Sequence, residues 1–320
     1  MRGNPRQQRI LNLGFGLLTL CAMAVPAIAH EALLTDQPSD TLSFVDLDTM
    51  KESGRIAVTG KPAGIALSRD KATAYVTSPD SAELTEVDAV ARKIKRRLTL
   101  GGGPLGIAAH PSRPEVYVAD WYTHKIRIVD TNKFAVIGEI KVGDSPSGLA
   151  VTPDGKLLLS ADRDSDSVSV VDVESRKVLA TIPVGKRPFG ITIDARGERA
   201  YTANVKSDDA TIIDIAARKV VGSVKTGRRP YAVALAQGRG FVTDQYGGTV
   251  TVFDLATLAV IKRINSCDHA EGIEADDGEQ NVYVACWGED ILLRIDAQKL
   301  AVTGKAPVAD GPRAFGKFLR

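Results

Sequence analysis

Residues 146–187 read PSGLAVTPDGKLLLSADRDSDSVSVVDVESRKVLATIPVGKR, and their pattern predicts the fold of the chain. It contains four short runs that are apolar or alternate with period two, at residues 148–151, 156–161, 168–171 and 178–184. Runs of this length and pattern are typical of β-strands. The Pro-Asp-Gly sequence between the first two runs is typical of a tight turn. The segment therefore predicts four consecutive strands.

The same pattern recurs along the whole chain with a period of 42 residues, shortened once to 40. Three series of residues repeat in phase. One is an aspartate that ends the third run: Asp46, Asp88, Asp130, Asp172, Asp214, Asp254 and Asp296. Another stands ten residues upstream: Asp36, Ser78, Asp120, Asp162, Asn204, Asp244 and Cys286. The third marks the turn before the first run: Pro62, Pro104, Pro146, Pro188, Pro230, Ala270 and Pro312. A four-stranded repeat of about 42 residues is the signature of a β-propeller blade, so the sequence predicts an all-β propeller with seven four-stranded antiparallel blades.

The two ends of the repeat predict how the ring closes. Residues 32–36 match the second strand of a blade, and residues 312–318 match the first strand. We therefore expect the N- and C-terminal strands to pair and complete the seventh blade, which leaves no open edge between the first and last blades. The shortened interval falls at residues 236–239, in a turn on the face away from the expected functional loops.

The first 29 residues have the features of a signal peptide. Three arginines precede an apolar run at residues 10–25, and Ala27-Ile28-Ala29 supplies the small residues of a cleavage site. We expect cleavage near Ala29-His30, a periplasmic or secreted protein with no transmembrane segment in its mature form, and a single propeller domain over residues 30–320.

The charge balance argues against a nucleic-acid binding surface. The chain has 41 lysines and arginines against 39 aspartates and glutamates, but three of the arginines lie in residues 1–29. Residues 30–320 thus carry 38 basic and 39 acidic side chains, a net charge of −1. A globally basic surface is absent, and nucleic acid remains only a third hypothesis that rests on local charge.

The second strand of several repeats carries a tetrapeptide of one type: YVTS at 75–78, YVAD at 117–120, YTAN at 201–204 and YVAC at 283–286. Together with the Val-Gly-x-x-Pro-x-Gly turn and the Pro-Asp-Gly hairpin, it resembles the YVTN family of propellers over residues 31–320. The resemblance implies a secreted or periplasmic bacterial protein, in some cases beside a quinoprotein dehydrogenase system. Related propellers include lactonases, streptogramin lyases and the large subunit of methylamine dehydrogenase, so the fold leaves activity open.

The loops before the first strand and after the second strand of each blade share one face, where we expect the central channel to open. Several loop residues there are candidates for ligand binding: Lys61, Trp121, Tyr122, His124, Arg187, Arg229, His269, Trp287 and Arg313. Arg187, Arg229 and His269 lie on consecutive blades, and Lys186 and Arg228 add charge. Such an arc suits an anionic ligand, because a guanidinium grips carboxylate or phosphate through two hydrogen bonds. The alternative is a solvated rim paired with nearby aspartates.

The sixth repeat departs from the pattern at Cys267, Ala270 and Cys286. The two cysteines stand at the loop end of one hairpin and are the only ones in residues 30–320, so we predict a disulfide between them. A metal site of Cys267, His269 and Cys286 is the alternative, although it lacks an evident fourth ligand. The repeated Asp and Asn at the ends of the second strands are read as turn caps, not as metal ligands.

The sequence favours a non-enzymatic binding or scaffold propeller that presents its loop face to a protein partner or to an anionic small molecule or polymer. An accessory role in a quinoprotein dehydrogenase system follows from the resemblance alone. The alternative is an enzyme of the lactonase or lyase type, in which His269 and Glu271 would act as acid and base. We expect no cofactor, no metal and a monomer.

Overall fold

A computed structural model describes Met1 and residues 30–320 of the chain. Apart from Met1, the expected signal peptide lies outside the described residues. Residues 30–320 form 28 β-strands and one short 3₁₀ turn, Arg163–Ser165, which confirms the all-β prediction. No helix in this part of the chain has the length and apolar character that crossing a bilayer requires.

The strands group into blades in chain order. The first three are β1 (Glu31–Asp36), β2 (Thr41–Asp46) and β3 (Lys51–Ala57). Blade 1 contains β4 (Gly64–Leu67), β5 (Thr73–Ser78), β6 (Glu83–Asp88) and β7 (Lys93–Thr99). Blade 2 contains β8 (Pro104–Ala109), β9 (Glu115–Asp120), β10 (Lys125–Asp130) and β11 (Ala135–Lys141). Blade 3 contains β12 (Pro146–Val151), β13 (Leu157–Asp162), β14 (Ser167–Asp172) and β15 (Lys177–Pro183).

The second half of the ring repeats the arrangement. Blade 4 contains β16 (Pro188–Ile193), β17 (Arg199–Asn204), β18 (Asp209–Asp214) and β19 (Lys219–Lys225). Blade 5 contains β20 (Pro230–Ala236), β21 (Arg239–Asp244), β22 (Thr249–Asp254) and β23 (Val260–Asn265). Blade 6 contains β24 (Ala270–Ala275), β25 (Asn281–Cys286), β26 (Ile291–Asp296) and β27 (Ala301–Pro307). The short β28 (Phe315–Gly316) belongs to the C-terminal segment.

Blade 7 is completed by the C-terminal segment, as the ends of the repeat predicted. The N–H of Glu31 donates to the carbonyl of Arg320 at 3.0 Å, and the N–H of Arg320 donates back at 2.8 Å. The N–H of Leu33 donates to the carbonyl of Phe318 at 2.9 Å. Residues 312–320 thus run beside β1 as the missing inner strand and are bonded to it at both ends, so the ring of seven blades is closed. Between these ends, β28 pairs in parallel with β4 of blade 1.

The glycine of the Pro-x-Gly turn is required by the way neighbouring inner strands meet. A Cβ atom on Gly106 would overlap the carbonyl oxygen of Ser147 in the next blade, and one on Gly148 would overlap that of Phe189. The inner strands therefore approach closely around the axis, where only glycine leaves room for the neighbouring backbone.

The core lies between adjacent blades. All four tyrosines of the repeated tetrapeptide are buried: Tyr75 is 6% exposed, and Tyr117, Tyr201 and Tyr283 are at most 1% exposed. Tyr117, for example, packs against Leu158 and Val171 of the following blade. The motif is thus a packing element, which is why it specifies the fold and says little about function.

Two faces result from the strand connections. The loop face carries the loops between the outer strand of one blade and the inner strand of the next, together with the loops between second and third strands. The opposite face carries the remaining turns. As predicted, the shortened interval is a turn on that opposite face, and it consists of Gln237 and Gly238. Both residues have positive φ.

Candidate functional site

The channel is filled at its loop-face end by an aromatic cluster. The ring centroids of Phe189 and Tyr231 lie 4.6 Å apart, and those of Phe189 and Phe315 lie 4.8 Å apart. Leu105 and Val205 pack against the same cluster. All five side chains are buried, so this cluster separates the loop face from the space below.

The cavity of the channel therefore opens on the opposite face, and the expectation that it opens on the loop face is wrong. Its volume is about 460 Å³, and it is lined by small and aliphatic residues of the inner strands, such as Ala108, Ala150 and Ile191. The reason is the size of the residues after the turn prolines, Phe189 and Tyr231, which fill the axis from the loop-face side.

The predicted cations occupy one repeated backbone position. The residue before the turn proline has positive φ in each of these cases: 60° at Lys61, 56° at Arg187 and 53° at Arg229. Its N–H donates at 2.8 Å to an aspartate 21 residues earlier, which is Asp40, Asp166 or Asp208 respectively. The backbone beneath these cations is thus fixed before any ligand arrives.

A pocket of about 290 Å³ lies on the loop face between blades 4 and 5. It is lined by Val205, Lys206, Asp208, Arg228, Arg229 and Tyr246. Within residues 30–320, no carboxylate oxygen lies within 4.0 Å of a side-chain nitrogen of Lys206, Arg228 or Arg229. Three cations thus share one concave site without an ion-pair partner in the described chain. We call the pocket that these six residues line the cationic pocket.

Tyr246 forms one wall of the pocket through two ring contacts. The Arg229 guanidinium lies 4.3 Å from its ring centroid, which is a cation–π geometry. His269 meets the same ring edge-on at 4.9 Å, and Trp287 lies 5.8 Å beyond His269. The Nε of Arg229 and the Nε1 of Trp287 are buried without a hydrogen-bond partner in the described chain. His269 therefore belongs to an aromatic row beside the pocket.

Two further arginines extend the positive charge toward blade 3. Arg163 lies 5.0 Å over the ring of Trp121 and donates to Asp164 at 2.8 Å. Burial lowers the pKa of Arg163, and the charges of Arg187 and Arg229 lower it further, against the opposing effect of Asp164. Arg187 lies 3.7 Å from the same Asp164. Arg163 was not predicted from the sequence, because the 3₁₀ turn that aims it inward is not evident there.

The other predicted cations are bonded to side chains outside the cationic pocket. Lys61 pairs with Asp40 at 3.2 Å, and Lys186 pairs with Asp166 at 2.7 Å. Arg313 donates through Nε to Glu271 at 2.7 Å and through a terminal nitrogen to Gln37 at 3.1 Å. Of the arc expected from the sequence, only Arg229 lines the cationic pocket, whereas Lys61, Arg187 and Arg313 lie in ion pairs with Asp40, Asp164 and Glu271.

His269 and Glu271, the acid–base pair of the enzymatic alternative, have different partners in the structure. Both carboxylate oxygens of Glu271 are occupied, one by Arg313 and the other by the side-chain amide of Gln245 at 2.7 Å. His269 has its Nδ1 2.9 Å from Asp268. No hydrogen bond between His269 and Glu271 occurs among residues 30–320.

Beside Glu271, burial raises the pKa of Tyr231 well above its ordinary value, and the Tyr231 hydroxyl has no partner in the described chain.

The Trp121, Tyr122 and His124 group does not form one exposed cluster. Trp121 is partly buried and packs on Phe189 at 6.2 Å. Tyr122 is 71% exposed and lies over Gly103. The Nδ1 of His124 accepts the N–H of Ser145 at 3.0 Å, which is the bond that aspartates make in other blades. Only Tyr122 thus presents a free aromatic surface.

The repeated aspartates are bonded within their own blades. Asp162 accepts hydroxyl bonds from Ser160 and Ser169 and the N–H of Gly143. Burial raises its pKa to about 6 in spite of these bonds. Burial also raises the pKa of Asp36 to about 7, and one of its oxygens has no partner in the described chain. At Asp120 burial acts in the same direction, but bonds from Gly103, Thr123 and Arg127 outweigh it and lower the pKa.

The predicted disulfide is present between Cys267 and Cys286, whose Cα atoms lie 5.9 Å apart. Both thiols are thereby consumed, which removes two of the three ligands of the alternative metal site. In the part of the chain that the structure describes, no group of three or more His, Cys, Asp or Glu side chains is arranged to hold a metal ion.

Solved structures with the same architecture extend over most of the chain. One is a hydrazine synthase chain from Kuenenia stuttgartiensis, at 20% identity and a TM-score of 0.72, with 80% of this chain and 89% of that chain covered. A functionally unknown protein from Desulfotomaculum acetoxidans has 17% identity and a TM-score of 0.77, with 89% and 99% covered. Dihydro-heme d1 dehydrogenase NirN, in complex with DHE, has 15% identity and a TM-score of 0.69, with 89% and 74% covered. Neither a family model nor a curated protein matches the chain. At these identities the likeness concerns the fold alone.

Proposed function

We propose that this protein is a periplasmic, non-enzymatic propeller that binds an anionic ligand in the cationic pocket between blades 4 and 5. The observation that carries the proposal is the set of three cations, Lys206, Arg228 and Arg229, which line one pocket without an ion pair in residues 30–320. Unpaired like charges repel one another, so an anion that enters gains from all three.

The surrounding loops make the attraction local. The loops of blades 4 and 5 on this face carry Lys186, Arg187, Lys206, Arg228 and Arg229 against Asp208. Those of blades 6 and 7 carry Asp40, Asp268, Glu289, Asp290 and Asp310, with His269 and the Glu271-paired Arg313 as the basic groups. A positive region beside the acidic loops of blades 6 and 7 directs an anion toward blades 4 and 5 and repels it from blades 6 and 7. Such a face suits a discrete anionic ligand better than a long nucleic acid.

The location and family belong to the same proposal. The features of residues 1–29 and a disulfide between the two cysteines support an oxidising compartment outside the cytoplasm. The tetrapeptide repeat supports membership of the YVTN-type propellers, and through that resemblance an accessory role beside a quinoprotein dehydrogenase system. In the enzymatic alternative, Glu271 would have to leave both Arg313 and Gln245 before it could act as a base.

A thermal-shift screen tests the proposal. The chain is heated at low ionic strength with inorganic phosphate, sulfate, citrate or pyrophosphate. A ligand that binds only the folded state raises Tm by mass action. We expect at least the multivalent anions to raise Tm in the wild type and to leave Arg228→Glu/Arg229→Glu unchanged. Equal shifts in both proteins would mean that the anions act elsewhere.

A further inference from the structure

The outer strands of three consecutive blades expose a set of aliphatic side chains. They lie on β15, β19 and β23 and are between 38% and 46% exposed: Val178, Leu179, Val220, Val221, Val260 and Ile261. Each strand presents two neighbouring residues because it contains a β-bulge. Val170 pairs with Ala180 and Val171 pairs with Val178, so Leu179 is the inserted residue, and Val221 and Ile261 are its equivalents.

The fold does not require aliphatic residues at the bulge. The same position is Lys95 in blade 1, Thr303 in blade 6 and Ser53 in blade 7, and these strands have the same bulge. Polar side chains thus satisfy the backbone in three of the other four blades, and blade 2 has Ile137 at this position beside Val136, which is 37% exposed. The aliphatic residues on blades 3 to 5 thus lie on three neighbouring outer strands, and an accumulation of exposed apolar side chains marks an interaction surface.

Positive charge accompanies the aliphatic residues. Residues 173–183, 215–225 and 255–265, which we call the aliphatic flank, contain one acid, Glu174, and seven cations: Arg176, Lys177, Arg218, Lys219, Lys225, Lys262 and Arg263. Glu174 is bound to Arg113 of blade 2 at 2.5 Å. Within the described chain only Lys225 of the seven has an ion pair, with Asp209 at 3.3 Å.

Blade 1 shows that a basic outer strand elsewhere in the ring is neutralised. It has five cations in the equivalent residues 89–99, and four of them pair with glutamates. Arg92 binds Glu31, Lys95 and Arg96 bind Glu86, and Arg97 binds Glu83. The aliphatic flank lacks such acids. Arg176, Lys262 and Arg263 donate to backbone carbonyls. Lys177, Arg218 and Lys219 have no side-chain bond in the described chain, so these three cations are free to meet negative charge from outside.

The chemistry of the flank indicates what kind of surface covers it. A bulged edge strand is poorly suited to pair with an added strand, so recognition falls to the side chains. Protein interfaces are enriched in aromatic residues and depleted in lysine, whereas the flank is aliphatic and rich in lysine. Apolar side chains among lysines and arginines are typical of surfaces that lie on anionic lipid. We propose that the aliphatic flank docks the protein on an anionic lipid bilayer, with the six aliphatic side chains entering the interface and the cations contacting lipid phosphates.

Vesicle co-sedimentation tests this proposal with the full chain. The vesicles are pure phosphatidylcholine or a mixture with phosphatidylglycerol, both at low ionic strength. We expect binding to the anionic vesicles only. The triple variant Leu179→Ser/Val221→Ser/Ile261→Ser places at the bulge the residue that blade 7 already has there, so its fold should be retained. Its affinity should fall roughly tenfold or more, because apolar contact is lost.

A charge-reversal variant and a control variant separate the contribution of the cations from that of the aliphatic side chains. Lys177→Glu/Arg218→Glu/Lys219→Glu should lose affinity by at least on the order of 100-fold, since each basic side chain near an anionic surface contributes about fivefold. The control Val90→Ser/Tyr122→Ser removes two exposed apolar side chains outside the flank and should bind as the wild type does.

Several results would overturn the proposal. Wild-type failure to bind anionic vesicles would exclude it, as would unchanged binding of the triple serine variant. If Arg228→Glu/Arg229→Glu alone abolished vesicle binding, lipid would be recognised by the cationic pocket and not by the flank. If the serine variant instead converted a dimer into a monomer without a change in vesicle binding, the flank would be a contact between two copies of the chain. The proposal is independent of the ligand of the pocket, and failure of the thermal-shift screen leaves it intact.

Discussion

The guanidinium of Arg229 lies over the ring of Tyr246, 4.3 Å from its centroid, on the wall of a pocket that also holds Lys206 and Arg228. The backbone N–H of Arg229 is at the same time bound to Asp208 at 2.8 Å. The cation is therefore held at both ends, by its backbone and by an aromatic ring. Binding to a side chain that is already ordered costs less conformational entropy, so this arrangement favours a ligand of opposite charge.

The Cys267–Cys286 disulfide should contribute measurably to stability. It closes a loop with a sequence separation of 19, for which the chain-entropy account gives ~3 kcal/mol. Cys267→Ser/Cys286→Ser should therefore lower the free energy of unfolding by about that amount in denaturant titrations. The control is the wild type in reducing agent, which should match the variant. Two alkylatable thiols in the unreduced protein would contradict the bridge.

Stability should fall as the pH rises from about 4 to about 7, in part because of Asp36. Burial raises the pKa of this carboxyl from 3.8 in the unfolded chain to about 7 in the folded state. Between these values the folded state binds the proton and the unfolded state does not, so each rise in pH favours unfolding. Asp36→Asn should flatten this part of the curve and raise the free energy of unfolding by about 1–3 kcal/mol near pH 8. Blade 4 already has Asn204 at this position.

Asp120 provides the matched control for Asp36, since it occupies the same position in blade 2. Bonds from Gly103, Thr123 and Arg127 outweigh the effect of burial and lower its pKa, so its contribution is present at neutral pH and lost as the pH falls. Asp120→Asn should therefore destabilise the protein near pH 7. A stabilising effect there, or an Asp36→Asn protein with the wild-type pH profile, would show that the two carboxyls do not differ as described.

Closure of the ring by the C-terminal segment predicts a strong effect of truncation. Removal of residues 312–320 would expose the edge of β1 and leave the bonds of Glu31 and Leu33 to this segment unmade. It would also leave Glu271 without Arg313. The truncated protein should melt at a clearly lower temperature and aggregate more readily, because an open edge strand invites pairing between molecules. A truncated protein that melts like the full chain would contradict this closure.

The fold was predictable from the sequence because every blade repeats the same local requirements. The turn glycine, the buried tyrosine and the strand-end aspartate each recur with one period, and each meets a constraint imposed by the neighbouring blade. The two cysteines were predictable for the opposite reason, since they interrupt that period together at positions that a hairpin brings close.

The site was only partly predictable, because side-chain direction in a loop depends on the neighbouring blade. Arg187 and Arg229 were found through their repeated position before the turn proline. Lys206 and Tyr246 occupy one repeat position, two residues after Asn204 and Asp244, but the residue type there varies from blade to blade. Their role emerges only when blades 4 and 5 are side by side. For His124 the prediction failed in the opposite way. Its position in the sequence suggests a ligand contact, but in the structure its ring accepts the N–H of Ser145.

Isothermal titration of the chain with inorganic pyrophosphate at low ionic strength tests directly whether the cationic pocket binds an anion. The wild type should bind, Arg228→Gln/Arg229→Gln should bind more weakly, and Arg228→Glu/Arg229→Glu should not bind, because its pocket charge is reversed. The control Lys156→Glu/Arg196→Glu makes the same change in net charge at two exposed side chains on the opposite face and should keep wild-type affinity. Wild-type affinity in the pocket variant, or equal losses in both charge-reversed proteins, would contradict an anion site between blades 4 and 5.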